Sequence, residues 1–275
     1  MTGTPRRPWG TIGRGLLTLC VSVGPSGLLA QQTPSGIAEV RATLLEDNPA
    51  QLWVARGDTL WHRARGPRQA SLEGCDLGLG PGVVQGAYAR LPRYFDDAKR
   101  VMDLEARLIY CMQKLQGIDA EALLREPYGD GAKRSDLEAL AASIAAASAG
   151  ERVAPSLSRP EERAARALGE RLFFYRAGTH DFSCASCHGQ SGKRIRLQEL
   201  PNLTEPEDAR NAYADWPAYR ISQGELRTLE WRMGDCIRQQ RLPELRFTSD
   251  AAIALIMYLA SNAQGGVMKA PGIRR

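Results

Sequence analysis

One pentapeptide, Cys184-Ala185-Ser186-Cys187-His188, restricts both the fold and the cofactor of this chain. Two thiols three residues apart can add to the two vinyl groups of one haem, and the adjacent histidine then supplies the proximal ligand of the iron. A zinc site would need a second pair of ligands at similar spacing, and the sequence has none. We therefore predict one covalently bound haem c on Cys184 and Cys187, with His188 as an axial ligand.

The first 30 residues are typical of a secretory signal peptide. Arg6, Arg7 and Arg14 give this segment a positive start, and the apolar run over 16–23 is too short to span a membrane. Cleavage after Ala30 is expected. Because haem is attached to c-type cytochromes after export, the signal and the haem motif together predict a periplasmic protein.

The charge of the mature chain is close to neutral. Removing the three arginines of the signal changes the net charge from 36 − 31 = +5 to 33 − 31 = +2, so no nucleic-acid partner is expected. No later apolar run is long enough to predict a membrane anchor. The remaining residues are enough for two domains of ~120 residues, each able to bury a small core.

The hydrophobic pattern is mainly helical, and strand-like alternation is scarce. Pro160 stands at a plausible first helical position and is followed by Glu161 and Glu162, where the helix dipole favours acids. Helices are predicted over 97–115, 137–149, 160–176, 224–240 and 249–260.

The chain contains an internal repeat. Residues 57–61 match 169–173 at an offset of 112, and the same offset places Cys75 on the second cysteine of the haem motif. Leu72 and Asp76 stand where the first cysteine and the histidine would be. The first half therefore has the frame of a haem site that lacks two of its three haem-binding residues.

A second set of matches has an offset of 125. Residues 104–107 match 229–232, and Cys111 falls on Cys236. These matches favour a mainly α fold with two cytochrome c-like domains that arose by internal duplication. We predict a haemless domain over 31–152 and a haem-binding domain over 153–275.

The repeat also sorts the cysteines. Cys20 is removed with the signal, and the two cysteines of the motif bind haem, which leaves Cys75, Cys111 and Cys236. In the first half, Cys75 stands at a haem-attaching position and Cys111 stands where Cys236 faces the haem. With no porphyrin between them these two can form a disulfide in an oxidising compartment, and Cys236 then remains the unpaired thiol.

The sixth ligand of the iron has several candidates in the sequence. His180 and His62 are expected on the surface, and Met257 in the core. Met268 could reach the iron from near the chain end and is the main rival of Cys236. A thiolate ligand would lower the reduction potential. The candidates considered are Cys236, Met233, Met257, Met268, His180 and His62.

The segment around Cys236 is rich in arginine. Arg232 lies four residues earlier, on the same face if the segment is helical, and Arg227, Arg238 and Arg241 flank it. A cationic setting lowers the pKa of a thiol and attracts an anionic substrate. Arg232 is therefore a candidate substrate-binding residue.

These motifs resemble the SoxA family, the A subunits of the SoxAX cytochromes of bacterial thiosulfate oxidation. The resemblance covers most of the chain from about residue 50 to residue 262. Family members with two haems keep a second complete motif in the first half, and this chain departs from that pattern, so one haem is implied. The similar segments are 75–80, 91–94, 182–189 and 229–241.

The resemblance implies an L-cysteine S-thiosulfotransferase that joins thiosulfate oxidatively to a cysteine of the carrier protein SoxYZ. It also implies tight association with the smaller cytochrome subunit SoxX. Cys184 and Cys187 match the haem thioether positions, and His188 matches the proximal ligand. Cys236 matches the distal ligand, found in the family as a cysteine persulfide, and the proposed catalytic sulfur. Arg232 matches the substrate-binding arginine.

A second function class remains open on the sequence alone. A simple periplasmic electron-transfer cytochrome c would need only a methionine ligand, and Cys236 would then be incidental. A haem-based sensor is a third class, and no appended output domain supports it.

Overall fold

The computed structural model of the protein describes Thr43 and residues 47–195 and 198–274. The predicted signal peptide over 1–30 and Cys20 lie outside these residues. Within the described part, no helix is both long and apolar enough to cross a membrane. The described helices are α1 (Gln51–His62), α2 (Leu104–Cys111), α3 (Ala120–Arg125), α4 (Asp136–Ala146), α5 (Pro160–Phe174), α6 (Cys184–His188), α7 (Pro206–Tyr213), α8 (Leu229–Gln239) and α9 (Asp250–Asn262).

The described strands form three small sheets. Strand β1 pairs with β2, and β3 pairs with β4, both antiparallel. In the third sheet β5 lies in the centre, antiparallel to β6 and parallel to β7. The strands are β1 (Arg93–Phe95), β2 (Arg100–Met102), β3 (Arg194–Ile195), β4 (Gln198–Glu199), β5 (Ala218–Arg220), β6 (Glu225–Arg227) and β7 (Gly272–Arg274).

Each half contains one closely packed pair of long helices. In the first half α1 packs on α4, and a Cβ added to Gly57 would lie 2.0 Å from the carbonyl oxygen of Ala139. In the second half α5 packs on α9, and a Cβ added to Gly169 would lie 1.9 Å from the carbonyl oxygen of Ala254. Only glycine allows such a close helix crossing. The repeat offset of 112 therefore corresponds to a shared packing arrangement.

A hairpin followed by a helix also occurs in both halves at the offset of 125. β1, β2 and α2 form the first copy, and β5, β6 and α8 form the second. Each helix is capped by a side-chain oxygen: Asp103 accepts from the Ala106 amide, and Thr228 accepts from the Trp231 amide.

These hairpins correct two predicted helices. The helix predicted over 97–115 begins at Leu104, and the one predicted over 224–240 begins at Leu229. Strands of three residues are too short for an alternating pattern to identify. The helices predicted over 137–149, 160–176 and 249–260 are confirmed within three residues at each end, and Pro160 occupies the first turn of α5 as expected.

The predicted disulfide between Cys75 and Cys111 is present. Both residues are buried, as is Leu72, which occupies the position of a haem-binding cysteine in the repeat. The bridge closes a loop with a sequence separation of 36 residues. A bridge that closes such a loop contributes about 4 kcal/mol in the chain-entropy account. In the first half, a disulfide and a packed leucine therefore occupy the positions that bind haem in the motif.

Candidate haem and sulfur site

Helix α6 presents the three residues of the predicted haem motif. Ser183 caps the helix, because its hydroxyl accepts from the Ser186 amide at 3.2 Å and its own amide donates to the Ser186 hydroxyl at 3.0 Å. Cys184 and Cys187 lie one turn apart, so their thiols point to one side of the helix. Both thiols are half-buried and unpaired.

The His188 ring is oriented by a backbone carbonyl. Its Nδ1 lies 2.9 Å from the Pro201 oxygen, so Nδ1 carries a proton and Nε2 keeps a free lone pair. Burial lowers the pKa of His188, the Pro201 contact opposes this, and the positive charge of Arg232 lowers the pKa further. A neutral imidazole with an oriented ring is the form that ligates iron.

Apolar side chains surround this helix without closing over it. Cys184 packs with the buried cluster of Phe173, Leu255 and Tyr258. Further side chains of the same cluster are only partly buried, in contrast to the closed first half, and these are Leu172, Leu203, Met233, Leu245 and Leu259. Two free thiols, a neutral histidine and an incompletely covered apolar surface fit a covalently attached haem.

Cys236 approaches the haem motif from helix α8. The pKa of Cys184 is raised to about 11, first by burial and then by the proximity of Cys236. Burial also raises the pKa of Cys236, the Arg232 charge opposes this, and Cys187 and Asp235 raise it further. The structure therefore brings Cys184, Cys187, Cys236 and Arg232 together. The predicted lowering of the Cys236 pKa is wrong for this arrangement, because burial outweighs the single nearby arginine.

The other arginines of the predicted cationic setting have different partners. Arg227 is buried and donates to Glu138 at 2.9 Å. Arg238 is 75% exposed and donates to Asp235 at 2.6 Å. Arg241 is exposed at the end of the helix. Only Arg232 shares a helix face with the cysteine, as its spacing predicted.

Asp235 is a member of the site that the sequence reasoning missed. Its carboxylate is nearly buried and accepts from Arg232 at 3.4 Å, from Arg238 at 2.6 Å and from Gln239 at 2.7 Å. The repeat does not predict an acidic residue here, because the residue that matches Asp235 in the first half is Tyr110.

The other candidates for the sixth ligand lie in the core or on the surface, except Met233. Met257 is fully buried in helix α9, and Met268 is buried in the main core, where its backbone bonds to Gly150 and Glu151. His180 is exposed beside Phe182, with 5.7 Å between the ring centres. His62 lies on the surface at the end of α1, 2.8 Å from Glu73. Met233 lies on α8 and contacts the same apolar cluster as Cys184.

Comparison with known proteins gives consistent matches over both halves. The family model described as SoxA/TsdA, cytochrome c domain, matches residues 56–153 and 168–268. The L-cysteine S-thiosulfotransferase subunit SoxA of Hydrogenophilus thermoluteolus is 48% identical over 239 residues, which cover 87% of each chain. The protein of the same description from Hydrogenobacter thermophilus is 33% identical over 228 residues, 82% of each chain.

A solved structure supports the same fold. The crystal structure of SoxXA from P. pantotrophus aligns with a TM-score of 0.70 at 24% identity, covering 86% of this chain and 84% of that one. The two segments matched by the family model are cytochrome c-like domains.

Proposed function

Because the chain belongs to the SoxA/TsdA family of cytochrome c proteins, we propose that it is the thiosulfotransferase subunit that couples thiosulfate to a carrier cysteine. The carrier is SoxYZ, and the electrons released pass onward through the SoxX cytochrome subunit. The reaction takes place in the periplasm, after removal of residues 1–30. The domain over 153–275 binds the haem, and the domain over 31–152 supports it without haem.

Five residues carry the proposed chemistry. Cys184 and Cys187 attach the haem, and His188 is its proximal ligand. Cys236 is both the distal ligand and the reactive sulfur, and Arg232 holds the thiosulfate anion. The observation that carries this proposal is the proximity of Cys236 to the motif cysteines and to Arg232. Cys236 raises the pKa of Cys184, and Cys187 and Arg232 in turn shift the pKa of Cys236.

The reaction balances as an oxidation of two sulfur groups. The terminal sulfur of thiosulfate first forms an S–S bond with Cys236, and one proton and two electrons are released. The carrier thiol then attacks the thiosulfate sulfur bonded to Cys236. The bond to Cys236 breaks, and the proton of the carrier thiol returns to Cys236. A haem c bound here would take up electrons one at a time, so a second redox centre is needed. The SoxX cytochrome is the proposed second centre.

The experiment that tests this function follows the carrier itself. The purified protein is combined with SoxX, SoxYZ, thiosulfate and an electron acceptor, and the carrier is analysed by mass spectrometry. We expect the carrier cysteine to gain one thiosulfate group, and carrier with an alkylated cysteine to gain none. Haem reduction by a redox partner without any modification of the carrier would instead support the simple electron-transfer cytochrome.

We also predict one haem per chain. A pyridine haemochrome assay on the periplasmic protein should give a haem-to-protein ratio of about one, because only the second half has a complete motif. Cys75→Ser should keep this ratio, since Cys75 is disulfide-bonded. A ratio of two, or loss of haem in Cys75→Ser, would contradict the assignment.

A further inference from the structure

The haemless half provides an internal reference for the arginine next to the reactive cysteine. Arg107 occupies there the position of Arg232. Its Nη1 donates to Asp97 at 2.8 Å, its Nε donates to the Asp76 carbonyl at 2.7 Å, and its guanidinium lies 4.1 Å from the ring centre of Phe95. This arginine is buried and its charge is neutralised.

The second half changes both partners of this arginine. At the repeat offset of 125, Ser222 replaces Asp97 and Arg220 replaces Phe95. The strand registers agree, since Phe95 pairs with Arg100 and Arg220 pairs with the corresponding Glu225. A carboxylate and an aromatic ring are thus exchanged for a hydroxyl and a second guanidinium. The charge of Arg107 in the first half is balanced by Asp97, whereas in the second half Arg220 adds a positive charge to that of Arg232.

Arg220 lacks the partners that a structural arginine would have. Its Nε is buried without a hydrogen-bond acceptor, and among the residues that the structure describes no carboxylate forms an ion pair with it. The neighbouring Arg274 is already paired with Asp215 at 2.8 Å. Leaving a buried donor unsatisfied is unfavourable, so the arrangement calls for an acceptor that the chain itself does not provide.

The electrostatic surroundings agree with this geometry. Burial lowers the pKa of Arg220, and the positive charge of Arg232 lowers it further, although Asp235 opposes this effect. Asp235 pairs with Arg232 at 3.4 Å and with Arg238 at 2.6 Å. This one carboxylate is therefore shared between two arginines and does not balance the added charge of Arg220.

We propose that Arg220 and Arg232 together form a binding site for a doubly charged oxyanion beside Cys236. Two guanidinium groups favour a dianion over a monoanion, because each presents paired donors and a fixed charge. The identification of this dianion as thiosulfate rests on the proposed function. Arg220 is then the residue that makes the site selective for dianions.

The test measures anion binding and turnover in the same variants. Arg220→Met removes the charge, Arg220→Lys keeps it without the planar fork, and Arg125→Met is an exposed control in the other half. We expect Arg220→Met to weaken binding of thiosulfate and of sulfate about 10- to 100-fold in calorimetry. Binding of chloride should change little, Arg220→Lys should recover part of the loss, and Arg125→Met should behave as the unmodified protein.

In turnover assays the KM for thiosulfate should rise by a similar factor, with a smaller change in kcat. If the complete complex transfers thiosulfate and Arg220→Met leaves both the KM and sulfate binding unchanged, the inference is wrong. If the variant shifts the haem potential without altering dianion binding, Arg220 serves a haem propionate, and the proposed site is also wrong. If dianions bind through Arg220 but the carrier is never modified, the proposed function fails while the anion site stands.

Discussion

Replacing Cys236 by methionine should leave the haem attached but reduce carrier-dependent thiosulfate oxidation by about 1000-fold or more. Haem attachment depends on Cys184 and Cys187 of helix α6, whereas Cys236 lies on α8. A methionine sulfur can ligate iron but has no ionisable proton and cannot form a disulfide-type bond. Loss of the nucleophilic sulfur removes the covalent route, which commonly costs several orders of magnitude in rate.

The same variant tests the ligand assignment independently of activity. Exchange of a thiolate for a thioether should raise the reduction potential and change the low-spin absorption spectrum. Met268→Leu is the matched control, because Met268 is buried in the main core and should leave the spectrum unchanged.

Two results would contradict this prediction in different ways. Full turnover by Cys236→Met with SoxX and SoxYZ present would reduce Cys236 to a ligand only. An unchanged spectrum in Cys236→Met, combined with an altered one in Met268→Leu, would assign the sixth position to methionine and favour the simple electron carrier.

Much of this fold could be predicted because the duplication shows the same sequence motifs in both halves of the chain. The offsets of 112 and 125 together predicted the pairing of Cys75 with Cys111, because they place these residues on Cys187 and Cys236 in a half that lacks the complete motif. The strands could not be predicted, because a three-residue strand such as Arg93–Phe95 gives no periodic signal.

The charges around Cys236 show where sequence proximity fails. Arg227 lies nine residues before this cysteine, but its side chain is in a buried ion pair with Glu138 of helix α4, 89 residues away. Arg220 is further away in sequence and nevertheless lies near Arg232. Which arginines surround a thiol depends on strand pairing and helix capping, and neither was visible in the sequence pattern.

The meeting of the two halves produces a second feature that no local pattern predicts. Carboxylate oxygens of Asp103, Glu105 and Glu230 all lie within 4.8 Å of one another, and all three residues are buried. Glu105 and Glu230 are repeat partners at the offset of 125, so corresponding residues of the two halves come together. Asp103 and Glu105 also line a small cavity of about 10 Å³ together with Tyr88 and Tyr213.

Burial raises the pKa values of all three carboxyl groups. The pKa of Asp103 is raised to about 6 and that of Glu105 to about 8, and the pKa of Glu230 is raised as well. For Glu105 and Glu230 the negative charge of Asp103 is the next contribution after burial. Near neutral pH the cluster therefore retains protons that the unfolded chain would have released.

The sign of the pH effect follows from this difference. A carboxyl group whose pKa is higher in the folded state than in the unfolded state stabilises the fold fully below the unfolded value. Its contribution is lost as the pH rises towards the folded value. For Glu105 the window runs from the ordinary value of 4.5 to about 8. The free energy of unfolding should therefore decrease across this window.

Glu105→Gln should accordingly stabilise the protein in mild alkali and change little in mild acid. The amide has nearly the shape of the protonated acid but cannot acquire a charge, so the cost of ionising a buried carboxyl disappears. At about 1.36 kcal/mol per unit of pKa, we expect a gain of about 2–5 kcal/mol at about pH 8.5 and of less than about 1 kcal/mol at about pH 5. Urea unfolding of the haem-containing protein at both pH values measures this difference.

Glu121→Gln is the control, because Glu121 is exposed in the first turn of α3 and its substitution should change stability little at either pH. A Glu105→Gln variant that is less stable than the unmodified protein at both pH values would show that the carboxylate is ionised and satisfied in the native state. The three acids would then act as a fixed charge between the repeat halves. The expected result would show instead that the duplication places Glu105 and Glu230 next to each other, and that the protons they retain reduce the repulsion between them.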